Sequence, residues 1–301
     1  MIDRRLHFAN ERVAHDSLKG QVEADTFVDG HLETVAVICA DIMAKPDING
    51  ERIDRQLLLG EWVRVLEHHK GHAFVRSEKD GYVGWVSAFD LTEHALQSPT
   101  HVVASRSTHL YKHPDMKLSR CAWAISHGCR LTVAEDNGRF AKIQMPCRID
   151  DSTCDGPYKT RFVPIQHLRP ISQLDVDPIA VAELYLGAPY LWGGNSAFGI
   201  DCSGLVQAAL LACGIACPGD SDMQEAELGR PLAEDEPLQR GDLLFWKGHV
   251  AMVVDNERLI HANAHHMAVA YEGIDEAIAR IERQGDGPVT SRKRLEGLGH
   301  E

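Results

Sequence analysis

Three features are missing or scarce in this chain of 301 residues. No run of eighteen apolar residues occurs, so no segment is expected to span a bilayer. The first twenty residues are polar and lack the apolar core of a secretory signal peptide. Basic residues number 31 against 44 acidic ones, and the net charge of −13 repels phosphate backbones. We therefore expect a cytoplasmic protein that binds neither membrane nor nucleic acid.

Cysteine is present, but its pattern gives little sign of disulfides or metal. Because disulfides do not persist in a reducing cytosol, most of the thiols are expected to be small buried residues. Cys213 and Cys217 lie four residues apart, yet no second Cys/His pair follows at zinc-finger spacing. No metal and no cofactor is therefore expected. The eight cysteines are Cys39, Cys121, Cys129, Cys147, Cys154, Cys202, Cys213 and Cys217.

An internal repeat occupies the first half of the chain. The matching positions are Val35, Pro46, Gly60 and Phe74 in one copy and Val103, Pro114, Gly128 and Phe140 in the other. After each glycine, apolar and polar residues alternate, which predicts a half-buried strand. Short strands separated by turn residues, within about sixty residues per copy, favour a small β-barrel.

The end of the first copy resembles a known domain. Its segment Asp80-Gly81-Tyr82-Val83-Gly84-Trp85-Val86 is similar to the closing strand of bacterial SH3-like domains. The second copy lacks this strand and carries an insert from Pro146 to Lys159, so its assignment rests on the repeat. The predicted domains are an N-terminal segment (1–30), two SH3-like domains (31–97 and 98–172) and a third domain (173–301).

The third domain has a different pattern. Helices are predicted from Ile179 to Leu186 and from Cys202 to Cys213, where Gly214 ends the second. Apolar strands are predicted over 243–246, 249–254 and 259–261. Helices followed by strands indicate an α+β fold.

Three residues of this domain form a candidate catalytic group. Cys202 begins an apolar helix, where the partial positive charge of the helix N-terminus lowers a thiol pKa. A buried structural cysteine is an equal alternative for this position alone. His249 enters an apolar strand and can act as the base that activates the thiol. His261, on the next strand, can lie behind His249 and orient its ring.

Five motifs follow one another in this domain: Pro189-Tyr190-Leu191-Trp192-Gly193-Gly194, Asp201-Cys202-Ser203-Gly204-Leu205-Val206, Arg240-Gly241-Asp242-Leu243-Leu244-Phe245, Gly248-His249-Val250-Ala251 and Ile260-His261-Ala262. In this order they resemble the NlpC-type cell-wall cysteine peptidases, which have a papain-like fold. The resemblance covers Ile179 to about Tyr271. It implies Cys202 as nucleophile, His249 as general base, His261 as the third polar residue and Tyr190 beside the nucleophile. For Tyr190 a packed core aromatic remains the alternative.

The resemblance also implies substrate contacts. Asp201 and Ser203 match residues that line the subsite for the D-glutamyl part, although Asp201 can equally be a helix cap. Together with the SH3-like domains, the pattern looks like the cytosolic enzymes of muropeptide recycling. In those enzymes a tyrosine and an acid of the first SH3-like domain bind the free amine of L-alanine. Tyr82 matches the tyrosine, with barrel core as its alternative. Asp54 is the best match for the acid, with a surface position as its alternative, and Glu61 is a weaker choice.

Two other functions stay open from the sequence. One is a general endopeptidase of intact peptidoglycan that uses its SH3-like domains as wall-binding modules. The other is a non-enzymatic binding protein with a decayed site, against which the intact Cys202, His249 and His261 argue. The expected partner is a cell-wall peptide with a free N-terminal L-alanine, and no obligate protein partner is evident.

Overall fold

The computed structural model describes residues 3–46, 52–93, 98–118, 123–148, 158–233 and 235–295. The chain forms two compact units, Met1–Ser172 and Gln173–Glu301. Among the described residues no helix is long and apolar enough to cross a membrane. The predicted insert at Pro146 to Lys159 falls mostly outside the described ranges. The finer domain bounds within the first unit remain a prediction.

The first unit consists of short strands. They are β1 (Val13–His15), β2 (Thr26–Val28), β3 (His31–Val35), β4 (Cys39–Ile42), β5 (Arg55–Leu58), β6 (Trp62–His69), β7 (His72–Ser77), β8 (Val83–Ser87), β9 (Leu91–Thr92), β10 (His101–Val103), β11 (Ser107–Leu110), β12 (Trp123–Ser126), β13 (Arg130–Asp136), β14 (Phe140–Pro146), β15 (Tyr158–Pro164) and β16 (Leu168–Pro170).

Strands β3 to β16 build the same arrangement twice. One five-stranded sheet has the order β8-β7-β6-β3-β9, and β4 pairs with β5 beside it. The other has the order β15-β14-β13-β10-β16, and β11 pairs with β12. A bulge interrupts the pairing between Val65 and Glu67 in the first copy and between Val133 and Glu135 in the second. Strand order and bulge therefore recur at equivalent positions, as the sequence repeat predicts.

The glycine that precedes the alternating run is required by packing as well as by backbone conformation. Gly60 has φ +82°, and a Cβ added there would lie 2.0 Å from the carbonyl oxygen of Arg130. Leu59 accepts a hydrogen bond of 2.9 Å from the Arg130 N–H. Leu58 and Leu59 are buried in the core of the second copy. The two copies are thus joined through the segment that ends at Gly60.

The N-terminal segment packs on the first barrel. The Val83 N–H donates to the carbonyl oxygen of Arg5 at 2.7 Å. Phe8 is buried against Phe74 and Trp85, the tryptophan of the Gly-Tyr-x-Gly-Trp strand. This strand therefore gains a backbone partner and an aromatic cover from the first thirty residues.

The second unit combines four helices with eight strands among the described residues. They are α1 (Pro178–Glu183), β17 (Asn195–Ser196), β18 (Gly199–Ile200), α2 (Cys202–Ala212), α3 (Ser221–Glu227), β19 (Arg230–Pro231), β20 (Leu243–Trp246), β21 (His249–Val253), β22 (Arg258–Asn263), β23 (Ala268–Gly273), α4 (Ile274–Gln284) and β24 (Ser291–Arg294).

An antiparallel sheet of order β19-β24-β20-β21-β22-β23 forms the middle layer of this unit. Side chains alternate between the two faces of a strand. Val250 and Met252 of β21 share a buried cluster with Leu205 and Leu210 of α2. The intervening residues of β21 share another cluster with α4. Because helices cover both faces, β20 to β22 are apolar almost throughout, as the sequence shows.

One sequence expectation is wrong at a single position. Cys147, the residue after β14, is disulfide-bonded. Cys121 and Cys154 also lie outside them. Cys39, Cys129, Cys202, Cys213 and Cys217 form no disulfide bond. Spacing in sequence did not reveal the Cys147 bond because a disulfide depends on two Cα atoms lying about 5.5 Å apart in space.

Candidate active site

Cys202 is the first residue of α2 and is 7% exposed. Asp201 caps the helix. Its Oδ1 accepts from the Gly204 N–H at 2.6 Å and from the Ser203 hydroxyl at 3.0 Å, and its Oδ2 accepts from the Gly193 N–H at 3.0 Å. Asp201 is therefore a helix cap, which was the alternative given for it from the sequence. Its role toward substrate stays a prediction.

Helix α2 contacts β21 and β22, the strands that carry the two predicted histidines. Gln224 of α3 is hydrogen-bonded to the nucleophile's helix. It is fully buried, and its amide donates to the carbonyl oxygen of Ser203 at 2.9 Å and of Pro218 at 3.0 Å. These bonds hold the first turn of α2, including Cys202, against its surroundings.

Tyr190 is half-buried and forms an isolated bridge with Ile200, two residues before the nucleophile. Burial raises its pKa, and the negative charges that Cys202 and Asp201 can carry raise it further. The phenol therefore keeps its proton at neutral pH and can donate a hydrogen bond next to Cys202. It also packs on the main core of the unit, so both sequence alternatives apply.

The two histidines are joined directly. Nε2 of His249 lies 2.9 Å from Nδ1 of His261. Nε2 of His261 lies 3.0 Å from Oε2 of Glu272, a residue that the sequence did not single out. The side chain of His261 is fully buried, whereas His249 is half-buried. The result is a chain of three hydrogen-bonded side chains on three successive strands.

Strand register explains this chain. In β21 and β22, Met252 pairs with Ile260 in antiparallel fashion. Continued by one pair, this register makes His249 and His261 diagonal neighbours on one face of the sheet. In β22 and β23, His261 pairs with Ala270, so Glu272 is the diagonal neighbour of His261 on that face. A predicted hairpin with the correct register is the signal that could have identified Glu272.

The charges along the chain are ordered. Burial and the neighbouring His261 lower the pKa of His249, and burial also lowers the pKa of His261. Burial opposes ionisation of Glu272, but hydrogen bonds from Arg280 and His261 outweigh it and hold its pKa well below the usual range. At neutral pH the two imidazoles are therefore neutral and Glu272 is an anion.

The residues predicted to bind the substrate amine lie in the first unit. Tyr82 is 2% exposed and belongs to the core of the first barrel. Asp54 forms an ion pair of 2.8 Å with Arg4, and its side chain is 8% exposed. Asp54 as a whole residue is half-buried, so a position near the surface, the alternative given for it, stays open. Glu61 is buried and accepts from Lys79 at 2.9 and 3.0 Å.

Metal-binding groups were not expected, and the described residues offer two clusters to compare with that expectation. The atoms of His31, Glu33 and His68 that could bind a metal lie within 4.8 Å of one another, and so do those of His261, His266 and Glu272. In both clusters hydrogen bonds already join histidine to carboxylate. The absence of a metal remains a prediction.

Two family models match the chain. Residues 187–281 match the NlpC/P60 family, and residues 42–91 match the bacterial dipeptidyl-peptidase SH3 domain. A crystal structure of an NlpC/P60 family protein from Bacillus cereus has the same fold, with a TM-score of 0.70 and 20% identity. It covers 88% of this chain and 99% of that chain. The predicted fold class, two SH3-like barrels followed by a papain-like α+β domain, is confirmed.

Relatives extend over most of the chain. A γ-D-glutamyl-L-lysine dipeptidyl-peptidase of Bacillus cereus is 30% identical over 71% of this chain and 68% of its own length. An enzyme of the same name from Bacillus subtilis is 30% identical over 75% and 74%. Dipeptidyl-peptidase 6 of Lysinibacillus sphaericus is 25% identical over 80% and 91%. The chain therefore belongs to the NlpC/P60 family and is a cysteine peptidase with a bacterial dipeptidyl-peptidase SH3 domain ahead of its peptidase domain.

Proposed function

We propose that this peptidase hydrolyses the bond between γ-D-glutamate and a diamino acid in free wall-derived peptides, during muropeptide recycling. The observation that carries the proposal is the similarity, across both units, to enzymes named γ-D-glutamyl-L-lysine dipeptidyl-peptidases. A dipeptidyl-peptidase releases two residues from a free N-terminus. Its substrate is thus a peptide whose L-alanine amine is unblocked.

The proposed reaction begins at Cys202. His249 takes the proton of the thiol, and the thiolate attacks the γ-carbonyl carbon of the D-glutamyl residue. The amide C–N bond breaks, and the diamino acid leaves as an amine that receives the proton from His249. Water then attacks the thioester and releases the dipeptide acid and the Cys202 thiol. His261 orients the ring of His249 throughout.

The negative oxygen of the tetrahedral intermediate requires hydrogen-bond donors. The N-terminus of α2 supplies backbone N–H groups and a positive partial charge. Tyr190 adds a hydroxyl, and the rise in its pKa supports this role because a protonated phenol can donate. Removal of one donor of this kind typically costs about 100-fold to 1000-fold in kcat.

Four residues are proposed to contact the substrate. Asp201 and Ser203 flank the nucleophile and contact the D-glutamyl part. A carboxylate has about four acceptor positions, and protein donors occupy at least three of those on Asp201. The role of Asp201 is therefore chiefly to shape the subsite. Tyr82 and Asp54 bind the amine of L-alanine.

A cytoplasmic location is the other part of the proposal. Peptides with a free L-alanine amine arise only after the wall peptide has been cut from its glycan, which supports an enzyme of recycling. The disulfide at Cys147 argues in the opposite direction, because disulfides are rare in a reducing compartment. Cell fractionation with alkylation of free thiols before lysis decides between them.

Mass spectrometry of defined peptides tests the activity. Free L-Ala-γ-D-Glu-diamino acid should yield L-Ala-D-Glu and the free diamino acid, whereas the N-acetylated peptide should remain intact. Comparable kcat/KM values for the two peptides would remove the recycling function and favour the general wall endopeptidase. Absence of cleavage in both, and in intact peptidoglycan, would favour the non-enzymatic alternative.

A further inference from the structure

The carboxylate of Glu272 is held rigidly from two sides. His261 Nε2 lies 3.0 Å from its Oε2. Arg280 of α4 donates Nε to Oε1 at 2.7 Å and Nη2 to Oε2 at 2.8 Å. The side chains of Glu272 and Arg280 are only 9% and 13% exposed. A bidentate arginine both fixes the orientation of a carboxylate and keeps it ionised.

An ionised carboxylate has no proton to donate, so the hydrogen bond between Glu272 and His261 has one possible direction. His261 Nε2 must carry the proton. The ring of His261 is neutral, and its Nδ1 is then an acceptor. The only hydrogen bond that Nδ1 can make with His249 is one in which His249 Nε2 donates. A neutral His249 with its proton on Nε2 has a free lone pair on Nδ1.

We propose that Glu272 is a positioning residue that sets the tautomers of both histidines and leaves Nδ1 of His249 as the base for Cys202. The inference rests on the proposed roles of Cys202 and His249. Glu272 acts through His261 and does not contact substrate. When His249 takes the thiol proton, its ring becomes a cation, and the anion of Glu272 stabilises that cation through His261.

The alternative is a purely structural role for Glu272, in which Arg280 and the carboxylate only fasten α4 to β23. That role predicts a loss of stability without any change in the histidines. The proposed positioning role predicts a change in the tautomers of His261 and His249, and therefore in the base that activates Cys202. The charged or titratable groups near His249 and His261 are Arg280, Glu272 and His266. In the first experiment only Glu272 among them is substituted.

The first experiment compares Glu272→Gln with a matched control. Glu183 accepts a hydrogen bond of 2.8 Å from the Tyr271 hydroxyl, so Glu183→Gln removes a similar carboxylate from the same domain. In the full-length protein, Glu272→Gln should lower kcat by about 10-fold to 100-fold with little change in KM. The rate at which iodoacetamide inactivates the enzyme at neutral pH should fall. The midpoint of the pH dependence of this rate should move to higher pH. Glu183→Gln should match the wild type.

The second experiment observes the tautomers and does not depend on activity. In a full-length Cys202→Ala protein labelled with ¹⁵N, histidine nitrogen chemical shifts distinguish a protonated from an unprotonated ring nitrogen. His249→Gln and His261→Gln identify the two rings by loss of signal. We expect both rings to carry their proton on Nε2. In Cys202→Ala/Glu272→Gln, His261 should populate the second tautomer.

Several outcomes would overturn the inference. They are a proton on Nδ1 of either ring, a Glu272→Gln enzyme with wild-type kcat and alkylation profile, and equal losses in Glu272→Gln and Glu183→Gln. Failure of the proposed roles of Cys202 and His249 would give a different result. In that case Cys202→Ala retains turnover, while the ¹⁵N shifts still report which nitrogen of His249 and His261 carries the proton.

Discussion

Arg4 and Asp54 form an ion pair of 2.8 Å, in which the carboxylate is 8% exposed and the guanidinium is 54% exposed. Burial lowers the pKa of Arg4, but the hydrogen bond and the charge of Asp54 raise it by more, and Tyr82 adds to this rise. The residue proposed to bind the substrate amine therefore already has a cationic partner within its own unit.

This pair gives the first prediction. Asp54→Ala should raise KM for the free peptide, with a loss of about 2–3 kcal/mol in kcat/KM if the pair with the amine is desolvated. Arg4→Gln should lower KM, because it removes a competitor for the same carboxylate. Steady-state kinetics on free L-Ala-γ-D-Glu-diamino acid measure both. An unchanged KM in Asp54→Ala would exclude Asp54 as the amine acceptor.

The second prediction concerns the nucleophile and its base. Cys202→Ala and His249→Ala should each abolish turnover, and the double variant should be no worse, because the two groups act as a unit. Cys202 should also react with iodoacetamide faster than the other described cysteines that form no disulfide bond. Cys129 is the internal control, since burial raises its thiol pKa well above the usual value. Appreciable activity in Cys202→Ala would contradict the assignment.

The third prediction concerns His261, which orients the base. His261→Ala should remain active but lose on the order of 100-fold in kcat. His261→Gln should recover part of the rate because its amide can accept from His249 and donate to Glu272. His261→Asn can accept but is shorter, so it should recover less. Equal losses of kcat in the three variants would argue against an orienting role.

The fourth prediction is a pH dependence of stability in the first unit. His127 is 2% exposed, and burial together with Arg169 lowers its pKa to about 4. Above about pH 6.5 neither the folded nor the unfolded state is protonated at this ring. As the pH falls below that value, the unfolded state takes up a proton that the folded state excludes, so stability is lost until about pH 4.

His127→Gln removes this proton uptake. Between about pH 7 and about pH 5, the variant should therefore gain about 2 kcal/mol relative to the wild type. Urea unfolding of the full chain at the two pH values measures the difference. A constant difference between the two proteins would show that His127 is not held neutral by the fold.

The fifth prediction concerns the contact between the two barrel copies. Gly60→Ala places a methyl group 2.0 Å from the Arg130 carbonyl oxygen at a residue with φ +82°. Gly71 has a similar φ of +76° but open space around it, so Gly71→Ala isolates the conformational cost of about 1–2 kcal/mol. Thermal unfolding should show a clearly larger loss of stability for Gly60→Ala. Equal losses would mean that Arg130 moves away without cost.

The sequence alone determined much of this protein. The repeat of Val35 to Gly60 in Val103 to Gly128 required two similar barrels, because equal spacing of turns and alternating residues produces equal strands. The apolar run after Cys202 required a buried helix with a cysteine at its positive end. Five motifs in one order identified the peptidase family.

Only the tertiary structure decided which side chains meet. Nothing in the sequence around Glu272 or Arg280 indicates a role at the site. Strand register places Glu272 3.0 Å from His261, and the packing of α4 places Arg280 2.7 Å from Glu272. Arg4 and Asp54 are fifty residues apart and meet in the same way. Local patterns fix the period and the boundaries of strands and helices. Contacts between distant segments depend on register and packing, which no short stretch of sequence encodes.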